Sequence, residues 1–248
     1  MKHIYKALVL SLVAAILSSC LIRIPGFSKI ILRGEGPNVV RTMDLDPFTS
    51  VYVSGPLDVT CIPADGRHAV EVEMPENLQD SLNVDVRGGR LVVSFDYPVV
   101  IPGGEQYRVK IYAPAISGCS LVGSGDMTVG QLCGPVAEIS LSGSGDVRLD
   151  GVEAEELSIS LVGSGDVNVS SILCANASVL LSGSGDVSVA GLECKDLDVS
   201  CSGSGDVEIS GACGKASFTS SGSGDIDIRA LKCESVEYSV SGSGKLRK

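Results

Sequence analysis

Six carboxylates recur at nearly constant intervals in the second half of the chain. Asp126, Asp146, Asp166, Asp186, Asp206 and Asp225 each close a Gly-Ser-Gly-Asp tetrapeptide, at spacings of 20, 20, 20, 20 and 19 residues. Carboxylates beside turn carbonyls are the donor set that Ca²⁺ prefers, so these six are the candidate metal ligands. The calcium-binding nonapeptide repeats of secreted toxins, however, place their aspartates with a period that this chain lacks. A structural role is favoured, because an aspartate at a turn accepts hydrogen bonds from backbone amides, which holds it ionised. Stacked about 4.8 Å apart in water, neighbouring carboxylates repel by roughly 0.9 kcal/mol before salt screening. A solvated column tolerates that. No cofactor is expected, Ca²⁺ being the alternative left open.

The other reactive side chains point away from catalysis. Of the eight cysteines besides Cys20, Cys174, Cys194, Cys213 and Cys233 sit near one point of the repeat, with Cys133 close by and Cys201 in a leucine column. Tetrahedral zinc sites use clustered Cys-x-x-Cys pairs, which are missing. Buried small hydrophobes are the default reading. Disulfides stay open in an exported chain, although side chains in register on parallel strands point the same way rather than at each other. His68 lies beside Asp65-Gly66-Arg67 in an expected turn, where a solvated surface role is favoured. The repeats place no base beside their serines. No catalytic residue is expected, and the chain reads as a non-enzyme.

The elements that carry the aspartates follow from the same repeat. A seventh copy, Gly242-Ser243-Gly244-Lys245, ends the series. Apolar residues alternate on both sides of each turn, as in Ile159-Ser160-Leu161 and Val167-Asn168-Val169, and alternation is a strand signature. One apolar column runs through Leu121, Leu141, Leu161, Leu181 and Cys201. A second runs through Val129, Leu149, Val169, Val189, Ile209 and Ile228, and a third through Leu132, Val152, Ile172, Leu192, Ala212 and Leu231. Each period thus supplies about three short strands facing a common interior. One such unit cannot bury its own apolar side, but stacked units share a continuous core. The fold class is all-β, a right-handed parallel β-helix of about 20-residue coils, the hand following the rule for parallel crossovers. The glycines permit positive φ and close approach at a corner, and the stacked serines offer one another a hydroxyl ladder.

The remaining regions divide simply. Residues 1–19 read as a signal peptide: Lys2 and Lys6, an apolar run from Ala7 to Leu17 too short to span a bilayer, then Ser18-Ser19-Cys20. Leu17-Ser18-Ser19-Cys20 resembles the bacterial lipobox, making Cys20 the lipidation site and the membrane a partner through it. Residues 20–38 form a linker. Residues 39–118 are β-rich and either cap or lead into the coils; strands are expected at Val51–Val53, Val70–Val72, Val84–Val86, Leu91–Val93 and Val109–Ile111. Residues 119–248 are the coils. Without the leader, 17 basic residues face 30 acidic ones, a charge of −13, which excludes nucleic acid as a partner. Attachment to the membrane therefore rests on lipid chains at Cys20, of which more than one is needed for a stable hold.

With these parts assembled, the chain resembles the auto-transporter adhesin head GIN domain family of Bacteroidota envelope proteins over roughly residues 45–245. The resemblance is carried by Phe48-Thr49-Ser50-Val51-Tyr52-Val53-Ser54-Gly55 followed by Val59, by Gly89-Arg90-Leu91-Val92-Val93, and above all by Leu121-Val122-Gly123-Ser124-Gly125-Asp126 and its copies. It implies a right-handed β-helix on the cell envelope, an adhesin-like or structural interaction role, a glycan or protein ligand, and no catalytic residues. The alternative is a polysaccharide-binding or lyase-like β-helix that uses the aspartate row with Ca²⁺. The outer membrane is the expected location. Leu21-Ile22-Arg23-Ile24 carries no acidic residue after Cys20, so the sequence leaves its periplasmic and surface faces both open.

Overall fold

The computed structural model describes residues 31–100 and 107–248; the leader, Cys20 and the first part of the linker lie outside the described residues. The lead segment contains β1 (Leu32–Arg33), β2 (Asn38–Asp44), β3 (Ser50–Ser54), β4 (Asp58–Pro63), β5 (Ala69–Pro75), the helical turn α1 (Glu76–Gln79), β6 (Leu82–Arg87), β7 (Arg90–Phe95), β8 (Val99–Val100) and β9 (Arg108–Ala113). The coils follow as β10 (Gly118–Gly123), β11 (Met127–Gly143), β12 (Val147–Gly163), β13 (Val167–Val169), β14 (Ile172–Leu173), β15 (Asn176–Gly183), β16 (Val187–Gly203), β17 (Val207–Ser220), β18 (Ile226–Asp227), β19 (Leu231–Val240) and β20 (Leu246–Arg247).

Because the alternation repeats from coil to coil, each coil can lie in register on the next with the same residues turned inward. Leu121 pairs with Leu141, Leu141 with Leu161, Leu161 with Leu181, and Leu181 with Cys201, all on parallel ladders. All four leucines are fully buried. The result is a right-handed parallel β-helix of about 6 turns, as the repeat predicts.

Three details differ from the sequence reading, each for a physical reason. First, β11, β12 and β16 are each 17 residues long, so a typical coil is one bent ribbon interrupted only at its Gly-Ser-Gly-Asp turn. Second, the third apolar column slips in the 19-residue coil. Leu192 pairs with Gly211, while Ala212 lies level with Glu193 and is exposed. The shorter coil loses its residue at the corner after Ile209, where the register shifts. Third, a fourth interior column runs Ala137, Leu157, Ala177, Leu197, Ala216 and Val236 in register. Its alternation of small and large side chains lets neighbouring coils interlock, as close-packed interiors require.

All five strands expected in the lead segment form, but they stack out of chain order. β3 lies between β7 and β10, and β4 lies between β9 and β11, all parallel. Beyond this pair of rungs, β6 runs antiparallel on β7, while β5 runs antiparallel on β9 and β2 on β5. The segment is therefore both cap and first rungs. Its plug is bulky: Phe48, Leu57, Met74, Leu78 and Tyr107 are among the largest fully buried side chains. Gln79, also buried, donates to the carbonyls of Val39 (2.7 Å) and Met74 (3.2 Å), which satisfies its amide. On the last rung Tyr238 is 59% and Val240 37% exposed.

Two substitutions test the packing. A methyl group at Gly165 would overlap the carbonyl oxygen of Gly145 in the coil beneath, and neither backbone can retreat without breaking the ladder. We expect Gly165→Ala to lower stability by about 3 kcal/mol, the upper end of overpacking costs, in urea unfolding. Ser220 occupies the column of Leu181 and Cys201, is 2% exposed, and its hydroxyl has no hydrogen-bond partner. Ser220→Ala removes that unsatisfied group and should raise stability by about 1 kcal/mol in the same assay.

Candidate functional site

Each aspartate of the repeat stands at the end of its turn, where the stacked glycines bring two backbones close together. At such a corner, the carbonyl of Gly143 accepts from the amides of both Ser164 (2.8 Å) and Gly165 (3.2 Å) of the next coil. The following amide, that of Asp166, is left to the side chain below. It donates to Asp146 Oδ1 at 3.0 Å. The same bond recurs from the amide of Asp146 to Asp126 (3.0 Å), Asp186 to Asp166 (2.9 Å), Asp206 to Asp186 (2.8 Å) and Asp225 to Asp206 (2.7 Å). At the far end the amide of Lys245 donates to Asp225 at 2.8 Å.

The ladder begins one coil earlier than the tetrapeptide shows. The amide of Asp126 donates to Asp58 Oδ1 at 3.1 Å, so Asp58 is the first aspartate of the row. Its signal in the sequence is faint: Ser54-Gly55-Pro56-Leu57-Asp58-Val59 keeps the first glycine and the aspartate of Ser142-Gly143-Ser144-Gly145-Asp146-Val147 but has Leu57 in place of the second glycine. The amide of Asp58 itself donates to the carbonyl of Tyr107 at 2.9 Å. The expected serine hydroxyl ladder does not form. The serines at the turns, such as Ser144 and Ser164, face solvent and contribute backbone amides, and the aspartates make the side-chain ladder instead.

The energetics favour this use of the carboxylates. A hydrogen bond to a charged group contributes about 1.5–3 kcal/mol, more than the roughly 0.9 kcal/mol of repulsion between neighbours in water. Cations relieve the row further. Arg148 lies 2.7 Å from Asp146 and 3.7 Å from Asp126, and Arg247 pairs with Asp225. Lys245 replaces the aspartate at the far end, while Arg108, in register with Asp58, pairs with Glu73 at 3.8 Å. Asp166, Asp186 and Asp206, in the middle, have no cation partner among the described residues. One oxygen of every carboxylate in the row is already committed to an amide. Among the described residues no group of three or more His, Cys, Asp or Glu side chains converges to hold a metal ion.

The remaining candidates are scattered. His68 is half-buried, its ring edge-on to Phe48 with centroids 5.1 Å apart, so it packs against the cap where the sequence favours a solvated place. Cys61 and Cys119 are buried in the interior, and burial pushes the Cys61 thiol up to about 12. Two open grooves cross the coils. One, of about 440 Å³, includes Glu156, Asn176, Asp196, Lys215 and Glu237; the other, of about 590 Å³, includes Gln131, Asp150, Glu153, Ser171 and Glu193. Both mix polar with aliphatic side chains, Leu157 and Leu197 in the first and Val152 and Leu173 in the second, and neither is lined by an aromatic one.

The end of the row has a pH signature. The amide of Lys245, followed by the guanidinium of Arg247, holds Asp225 below the ordinary aspartate value of 3.8. A group depressed on folding contributes stability above its unfolded pKa and loses it as pH falls through the folded one. Asp225→Asn keeps a side-chain oxygen for the Lys245 amide but removes the charge. The variant should be less stable than the wild type at pH 7 and closer to it as the pH falls below 3.8, by a small margin because the pair is exposed. Thermal melts across that range check it.

The comparisons with known proteins agree with this geometry. Three solved structures share the fold: a "putative adhesin" from Bacteroides fragilis (TM-score 0.73, 19% identity, covering 87% of this chain and 99% of the other), a "putative adhesin" from Parabacteroides distasonis (0.72, 18%, 88% and 99%), and a "putative lipid binding protein" from the same species (0.68, 20%, 88% and 99%). No curated protein matches the chain. The family model described as "Putative auto-transporter adhesin, head GIN domain" matches residues 47–173 and again 170–247, repeating over the stacked coils. The chain therefore belongs to the auto-transporter adhesin head GIN domain family.

Proposed function

We propose that this chain is a non-enzymatic, lipid-anchored protein of the cell envelope that presents its β-helix as an adhesin-like or structural interaction surface. The observation that carries the reading is the uniformity of the coils. From β11 to β17 they repeat one cross-section with no long inserted loop, and the grooves that cross them are open. Enzymes bind substrates in concave sites with a few convergent polar groups, whereas these carboxylates are spent on holding coils together. The family name and the adhesin-like solved relatives support an envelope location. Lipid chains on Cys20 would supply the attachment, in the outer membrane, that a protein of net negative charge does not obtain from anionic lipid. The ligand class is a glycan or a protein.

Cys20→Ser tests the anchor. The variant should fail to incorporate labelled palmitate and should leave the membrane pellet for the soluble fraction; an unlabelled wild-type chain that stays with membranes would contradict lipidation. Protease treatment of whole cells distinguishes the two faces of the membrane, and glycan arrays probed with the purified chain test ligand class. Cleavage of a polysaccharide by that preparation would sink the non-enzymatic reading.

A further inference from the structure

Four consecutive coils carry a cysteine at the same corner. Cys194, Cys213 and Cys233 are in direct register on parallel strands. Cys174 stands in the same row, since Leu173 pairs with Glu193 and Asn176 with Asp196 on either side of it. Its amide also donates to the Glu193 carbonyl at 3.0 Å. Cys133 is outside the row: it pairs with Glu153 on an outward-facing line, and the row continues downward through Gly134 and Ala154. The cluster is thus an uninterrupted run of four.

Two observations make this row more than a set of small apolar side chains. Neighbouring rungs place paired α-carbons about 4.8 Å apart, within the range of roughly 4.4–6.8 Å that a disulfide spans. The row also has an even number of members. Pairing first with second and third with fourth gives every cysteine a partner on the adjacent rung, whereas a Cys194–Cys213 bridge would strand Cys174 and Cys233 three rungs apart. Each pair combines one buried member, Cys174 (9% exposed) or Cys213 (6%), with one half-buried member, Cys194 or Cys233.

We propose that this corner is an oxidation site that takes two cross-coil disulfides, Cys174–Cys194 and Cys213–Cys233, by exchange with a disulfide oxidant. The physiological setting rests on the export proposed above; the pairing does not. In each pair the half-buried cysteine, as thiolate, attacks one sulfur of the oxidant's disulfide and expels the other as a thiolate, giving a mixed disulfide. The buried cysteine, having lost its proton to solvent, then attacks the chain-side sulfur and expels the second oxidant thiolate. The pair gives up two electrons and two protons, and one oxidant disulfide becomes two thiols. The bridges would fasten the last four coils to one another two by two, where the final rung is most exposed.

The test oxidises the reduced full-length chain with glutathione disulfide and maps its thiols by non-reducing proteolytic mass spectrometry. The tryptic peptide 149–195 should become two hydrogens lighter. Peptide 196–215 should become joined to 233–245, with fragmentation placing the link at Cys213. The oxidised chain should melt several degrees higher than the reduced one, and Cys194→Ser and Cys233→Ser should each remove one bridge and part of that rise. A Cys194–Cys213 link, scrambled links, or four cysteines that stay open to alkylation after oxidation would overturn the pairing. Alkylation of the chain in intact cells separates the two readings: free thiols there, with both bridges formed in the test tube, would count against export and not against the geometry.

Discussion

Between the first glycine of one turn and the first glycine of the next there is no room for a methyl group, and the same holds for the second pair. The carbonyl of Gly143 sits directly against the α-carbon of Gly163, and that of Gly145 against Gly165. Gly163, at φ +135°, also adopts a backbone conformation that side chains oppose. This contact fixes the register of the whole stack. A slip by one residue would set a serine or an aspartate where only a hydrogen fits, so every other column is obliged to align. The apolar interior, the carboxylate ladder and the cysteine row all inherit their alignment from that corner.

The carboxylate ladder shows how a strongly acidic chain keeps like charges in single file. Each aspartate accepts from an amide that the turn would otherwise leave without a strand partner, and the gain exceeds the repulsion from its neighbours. The arrangement has a direction: every side chain receives from the coil that comes later in the sequence. Lys245 donates its amide to the row and brings a positive charge where the next carboxylate would stand, which ends the series without leaving an acceptor idle.

Much of this was legible in the sequence because each residue of the tetrapeptide has one steric or hydrogen-bonding task and little freedom to vary. Leu141, Leu161 and Leu181 stack as their spacing predicts. The rest was hidden for identifiable reasons. Asp58 belongs to the row, but Leu57 stands where the second glycine recurs and masks the motif. The missing residue of the 19-residue coil falls in a corner, and spacing alone does not tell which side of Ala212 it came from. Ala137, Ala177 and Ala216 are too small to mark a column until Leu157 and Leu197 are seen between them. The stacking order of the cap pairs strands dozens of residues apart, such as Val51 with Leu91 and Val59 with Val109, and no local pattern encodes that choice.

That shuffled order has a mechanical meaning. The first rung, residues 50–63, is clamped on one side by strands that follow it by 40 and 50 residues and on the other by the coils beyond residue 117. A pull on the amino-terminal end can peel β2 from its antiparallel neighbour, but it then reaches a strand hydrogen-bonded along both edges. Advancing further means shearing two ladders at once. A solenoid wound strictly in sequence would unravel from such a pull like thread from a spool; this one is fastened into its own first turn.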